Sequence, residues 1–284
     1  MDQLLTRVEI PRRHGREAFA QRVDWYSWSA ETLHLIKTNL KYLAKLPAPP
    51  CIWVRGCDPY PSTYSYRLSA LSEPLAFFAT ETAEALLRVR VGARLRFTCG
   101  MLEPPLTSPL LHRIFALIRA GIARVNGDPR TALHAPVKTK RHDEGFALHS
   151  DLFLTERLFL IFDNVPSGES GKSLFLSREE FEAAVAGATL MPRQQQSRLR
   201  TLMRVPVNAD SFDNWFDLVY SSDNPWNRQL VRSIKQASSA IKFHRGEGYL
   251  LHDRRWLHGR TAAKGGVTET RFRRLVYGRT VVNL

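Results

Sequence analysis

The chain is poor in cysteine. Its 284 residues hold three, Cys51, Cys57 and Cys99. An odd, small number does not make a disulfide framework. Cys51 and Cys57 have no matching second pair, which excludes an ordinary zinc site. Reduced thiols in a cytoplasmic protein are the expectation. Long apolar runs are missing as well; none approaches the ~18 residues that span a bilayer. Met1 to Arg16 mixes acids, bases and a proline without an apolar stretch, which argues against a secretory signal. There is no internal repeat, no low-complexity segment and no clear linker.

Acidic residues are in deficit. Asp and Glu number 27 against 41 Lys and Arg, a formal net charge of +14, and 32 of the 41 are Arg. The basic residues are scattered, so a dedicated basic tail is excluded. Such a surplus attracts an acidic partner: a small carboxylate, a phosphorylated carrier, an anionic lipid head group or nucleic acid. Arg-rich codon usage alone would produce the same composition.

Hydrophobic and charged contents of 44% and 24% are those of a globular chain long enough for one large domain. Glu17 to Leu46 has mostly helical spacing and ends at Pro47, Pro49 and Pro50. Cys51 to Arg55 reads as a short strand. Further helices are expected over Leu75 to Val91 and Ser108 to Val125, the latter closed by Asn126-Gly127. Beyond Lys138 short apolar runs recur: Phe146 to Leu148, Leu158 to Phe162, Leu174 to Leu176, Leu199 to Val207, Trp215 to Tyr220, Gly248 to Leu251 and Arg274 to Val282. Turns separate most of them, as in a sandwich or barrel. Two helices interrupt this pattern, one opening on the capping box Ser177-Arg178-Glu179-Glu180 and one on Asn224-Pro225. The expected class is α+β with a mainly β core. Residues 1–284 form a single domain in this reading, with 1–137 a mostly helical N-terminal part and 138–284 the β core.

The candidate chemistry lies in that second part. His149 and Asp151 are two residues apart, so on a strand they share a face. Two histidines and one carboxylate with open positions are the set expected for a non-haem Fe(II) oxygenase. His142-Asp143-Glu144 offers a rival pattern in a polar, loop-like stretch. His149 is favoured by its strand context, next to Phe146-Ala147-Leu148. The distal ligand would be His244, His252 or His258. His258 follows two apolar runs and opens His-Gly-Arg.

With these pieces the sequence resembles the Fe(II)/2-oxoglutarate-dependent oxygenases, especially the group of taurine dioxygenase, clavaminate synthase and γ-butyrobetaine hydroxylase. The resemblance rests on His149-Ser150-Asp151, on Gly168-Glu169-Ser170-Gly171-Lys172-Ser173 and on the stretch Asp253 to Arg260, with Arg271 beyond. It implies a double-stranded β-helix, a jelly-roll, cupin-like fold, carrying iron at its open end. It implies His149, Asp151 and His258 as iron ligands and catalytic centre, with Fe(II), 2-oxoglutarate and O₂ as the reacting set. Arg271 would pair with the distal carboxylate of 2-oxoglutarate, with Ser173 near it. Arg matches a carboxylate with a planar fork of donors and stays charged when buried. Arg273 and Arg274 compete for that role; if Arg271 points inward, alternation turns Arg273 inward and Arg274 outward. The implied activity is hydroxylation, desaturation or cyclisation at an unactivated C–H bond. The surplus of Arg points to a small acidic substrate, an amino acid or a carboxylated sugar such as lipid-linked Kdo.

Two other readings exist. Gly171-Lys172-Ser173 ends like the phosphate loop of an NTPase or kinase. Pro166 stands where the first glycine of such a loop belongs, however, and lacks an N–H for phosphate. A non-catalytic basic module would bind nucleic acid or the surface of an anionic membrane, with steep salt dependence.

Overall fold

The fold is described from a computed structural model, over residues 5–7, 23–48, 54–55, 66–88, 94–98, 108–139, 145–150, 156–165, 170–204, 209–221, 223–253, 255–262 and 270–279. Helices and strands are mixed, and most strand pairs are antiparallel.

The N-terminal part supplies strands as well as helices. Strand β1 (Leu5–Arg7) pairs with β2 (Val23–Trp28). A helix was expected where β2 lies, but Val23-Asp24-Trp25 alternates like a strand, and β2 runs parallel to β4 (Arg94–Thr98). Helix α1 (Ala30–Thr38) begins one residue after Ser29, whose side chain accepts from the Thr32 N–H. That bond satisfies one of the donors a helix start leaves unpaired. Helix α2 (Leu40–Lys45) follows, and β3 (Val54–Arg55) marks the described part of the expected strand. Helices α3 (Glu73–Arg88) and α4 (Ser108–Asn126) match their sequence signals. They cross so closely at Gly121 that a Cβ there would stand 2.0 Å from the Ala79 carbonyl oxygen.

Beyond α4 come β5 (Ala132–Thr139), β6 (Phe146–His149), β7 (Arg157–Asn164) and β8 (Ser173–Ser177). Four helices then intervene: α5 (Arg178–Gly187), α6 (Arg193–Arg204), α7 (Ala209–Tyr220) and α8 (Pro225–Ala237). The chain ends on β9 (Ser239–Ile241), β10 (Glu247–His252), β11 (Trp256–Arg260) and β12 (Thr270–Tyr277). The capping box of α5 forms as expected, with the Ser177 N–H donating to Glu180 and the Glu180 N–H to Ser177. The runs Leu199 to Val207 and Trp215 to Tyr220 were expected as strands. Their described residues are helical, in α6 and α7. Leu199 and Leu202, like Trp215 and Val219, stand three or four residues apart, and all four belong to one apolar cluster.

The large sheet has the order β1-β2-β4-β10-β7-β12-β5-β3, the small one β6-β11-β8-β9. From β5 onward the chain crosses between the sheets at almost every step. Three apolar layers result. Phe159, Ile161, Leu275 and Tyr277 of the large sheet pack against α3 and α4. Phe115 stacks on Phe159 there, centroids 5.1 Å apart and planes 6° from parallel. Leu158, Leu160, Phe162 and Val276, on the other face, meet Phe175 and Trp256 of the small sheet. Leu148, Leu176 and Leu257, on the outer face of the small sheet, pack against α5 to α8. The space between the sheets is therefore filled largely by an apolar layer. A buried aromatic in such a layer stabilises by several kcal/mol; truncation to Ala typically costs about 3–5 kcal/mol. Among the described residues, no helix is long and apolar enough to cross a membrane.

Candidate metal centre

His149 and His258 come together from opposite strands. They are directly paired across β6 and β11, and their ring centroids lie 4.3 Å apart. Both are buried. The His258 ring also lies 6.3 Å from Tyr249 of the large sheet, which places it on the inner face. His149 shares that face, since its neighbour Leu148 packs on the outer layer.

Gly259 allows this approach. A Cβ there would stand 2.7 Å from the Phe146 carbonyl oxygen and 3.0 Å from the Ala147 backbone. The register shifts between His258 and Arg260, and β6 closes on β11 at that irregularity. Phe146 covers His149 edge-on at 4.4 Å. The Tyr220 hydroxyl donates to the Leu148 carbonyl at 3.2 Å and ties β6 to α7. Burial raises the Tyr220 pKa above the phenol's ordinary value, so it remains a donor.

The proton placement on the two rings suits a cation. His149 Nδ1 lies 3.0 Å from the Ala147 carbonyl oxygen. A carbonyl only accepts, so Nδ1 carries the hydrogen and Nε2 keeps its lone pair. His258 Nδ1 lies 3.4 Å from Asp253 Oδ1, an electrostatic contact short of a hydrogen bond, and the carboxylate's charge favours the same tautomer. Histidines that bind metals commonly donate their other ring N–H to a carbonyl or carboxylate in this way. The donor set fits a divalent cation of intermediate softness. Among the described residues, no group of three His, Cys, Asp or Glu side chains forms a complete ligand set. Asp151 lies outside those residues, as does the rival His142-Asp143-Glu144. Of the other distal candidates, His244 is exposed and His252 is half-buried at the end of β10.

The arginines of β12 divide between the faces of the large sheet. Arg271 lies in the strand opposite Lys138 and Asn164; its side chain is outside the described residues. Arg273 stands opposite Ile161, on the face toward α4, and its Nη1 lies 2.9 Å from Asp163 Oδ2. Arg274 stands opposite Leu160, between Phe272 and Val276 in sequence, on the face toward the small sheet. The expected orientation was conditional on an inward Arg271, whose side chain lies outside the described residues; of the other two, Arg274 is the one that faces the small sheet. The register with β7 shifts between Arg271 and Phe272, where Asp163 is the extra residue on β7, while the pairing with β5 runs unbroken along β12. Alternation counted back from Val276 and Leu275, whose apolar character marks the two faces, would have found Arg274.

Ser173 is buried at the start of β8, directly opposite Arg260. Phe175 pairs with His258 one step along, so Ser173 and Arg260 belong to the inner face. Gly171-Lys172-Ser173 runs into this strand, and α5 starts only after Ser177. A phosphate loop needs a helix N-terminus directly behind it. That geometry is absent, which removes the basis for the NTPase reading.

Solved structures similar to this chain include non-haem iron oxygenases. One is an asparagine oxygenase in complex with Fe(II), 2S,3S-3-hydroxyasparagine and succinate, 11% identical, covering 88% of this chain and 92% of that one at a TM-score of 0.49. Another is the non-heme iron oxygenase OrfP in complex with Fe and alpha-ketoglutaric acid, 13% identical, covering 90% and 94% at a TM-score of 0.48. No protein-family model and no curated protein matches the sequence.

Proposed function

We propose that the protein is a 2-oxoglutarate-dependent Fe(II) oxygenase acting on a C–H bond of a small, carboxylate-bearing molecule. The observation that carries this reading is the buried pair of His149 and His258, with His149 Nδ1 bonded to a carbonyl and His258 Nδ1 beside a carboxylate. The strand arrangement supports it. β5, β12, β7 and β10 are neighbours in one sheet, and β6, β11, β8 and β9 make the other. Four neighbouring strands of the large sheet facing the four-stranded sheet are what a jelly roll, the double-stranded β-helix, would present.

His149, His258 and, from the sequence, Asp151 would hold the iron. When bound, Fe(II) with 2-oxoglutarate supplies the O₂ chemistry of this reaction class, with succinate and CO₂ as co-products. The chain's own residues bind, orient and exclude water. Phe162, Phe175 and Tyr249 line the layer beside His258 and keep it dry. Arg274 brings a buried positive charge to that layer, and we assign it, with Arg271, to the distal carboxylate of 2-oxoglutarate. Arg260 adds a second cation two residues beyond His258, suited to an acidic substrate. Hydroxylation, desaturation and cyclisation share this machinery; an amino acid or a carboxylated sugar would satisfy it.

The test is succinate formation from 2-oxoglutarate, with Fe(II) added. His149→Ala and His258→Ala each abolish it on this reading. Either variant turning over at the wild-type rate would overturn the ligand assignment.

A further inference from the structure

The turn before β11 joins the two halves of the histidine pair through one residue. Asp253 is buried. Its carboxylate lies 3.4 Å from His258 Nδ1, and its backbone carbonyl accepts from the Ser150 hydroxyl at 2.9 Å. Ser150 is buried too, and in sequence it separates His149 from Asp151. The Asp253 N–H donates in turn to the Glu156 carbonyl at 3.0 Å, just before β7. One residue thus touches the ring of the distal histidine, the segment that carries the proximal one and the strand beneath both.

We propose that Asp253 is a positioning residue that presets the metal cradle from both sides. Its side chain fixes the tautomer and tilt of His258, and its carbonyl anchors the His149 segment through Ser150. Ser150 is then a clamp rather than a spacer. The chemistry explains both choices. An imidazole free to rotate or to change tautomer presents its lone pair only part of the time, and a carboxylate at the other nitrogen removes that freedom and makes the ring a stronger donor. A hydroxyl donates one directional bond in little space, and a buried carbonyl accepts it without a charge to desolvate. The inference rests on the reading that His149 and His258 hold a metal ion.

The experiment is a titration of the full-length protein, free of metal, with Co(II) alone. Binding is followed by calorimetry and by the visible d–d absorption of the bound ion, in wild type, Asp253→Asn, Ser150→Ala and His258→Gln. The expected Kd increase is about 10- to 100-fold for Asp253→Asn, with an altered d–d spectrum. For Ser150→Ala it is roughly two- to tenfold, the size of one neutral hydrogen bond. Melting curves of the metal-free proteins accompany each titration. If Asp253→Asn fails to fold, Ser150→Ala carries the test. Should wild type bind Co(II) no better than His258→Gln, the metal reading itself fails. Should wild type bind tightly while Asp253→Asn and Ser150→Ala match it in affinity and spectrum, only the positioning role fails, even where the melting temperature drops.

Discussion

Arg273 and Asp163 form an ion pair 2.9 Å long, nearly closed to solvent, on the helix-facing side of the large sheet. One residue along, Arg274 faces the opposite way, toward the small sheet. The two arginines are therefore assigned different tasks, and replacing them separates the tasks. Asp163→Ala strands a buried guanidinium and costs about 3–5 kcal/mol in denaturant unfolding. The joint change of Asp163→Leu with Arg273→Met recovers most of that loss. Arg274→Ala leaves the ion pair intact and instead raises the apparent requirement for 2-oxoglutarate on the order of 10- to 100-fold, the scale of a lost charge-assisted contact. Arg271→Ala, measured beside it, divides the carboxylate between the two. An unchanged requirement in Arg274→Ala removes it from the site.

Gly259 gives a second prediction. Its absent Cβ leaves room for the Phe146 carbonyl, and backbone cannot rotate out of the way as a side chain can. Gly259→Ala forces β6 away from β11 and separates the two imidazoles. The expected loss is about 1–3 kcal/mol of stability, the scale of an overpacked contact, together with weaker metal binding. Wild-type metal affinity in this variant would show that the strand contact does not set the site.

The helix side of the large sheet predicts a pH dependence. His134 is buried beside His112, ring centroids 4.5 Å apart. Burial first, then the positive potential of His112, Arg273 and Arg119, pushes its pKa well below the ordinary 6.5. The unfolded chain therefore takes up a proton near pH 6.5 that the folded chain refuses. Stability is intact above that pH and falls as the pH drops below it, by at most about 1.4 kcal/mol per pH unit from this group. Unfolding free energies measured from pH 8 to pH 5.5 test this, with His134→Leu as comparison. The variant should show a shallower acid slope; an identical slope would assign the loss to other groups.

The site was legible where local pattern and chain direction agree. His149 follows an apolar run that does form β6, and His258 stands within a strand after two others. The long helices over Leu75 and Ser108 were legible because their apolar period is sustained. Leu199 to Val207 and Trp215 to Tyr220 were not, because a short apolar run has no period long enough to separate helix from strand. The arginine assignment counted alternation from Arg271, whereas the apolar neighbours Leu275 and Val276 mark the two faces of β12 directly. Asp253 entered only as the first residue of the stretch up to Arg260, with no role of its own, for that role depends on a turn that brings it to Ser150 from 103 residues away.

The central claim is that His149 and His258 hold a ferrous ion with room for a chelating keto acid. The direct measurement is made without oxygen. Fe(II) and then 2-oxoglutarate are added to the full-length protein, and the visible spectrum is recorded. The account predicts a weak metal-to-ligand charge-transfer band that appears only with both additions and is missing in His149→Ala and His258→Ala. A featureless spectrum in the folded wild-type protein, or a band that survives loss of either histidine, would contradict it.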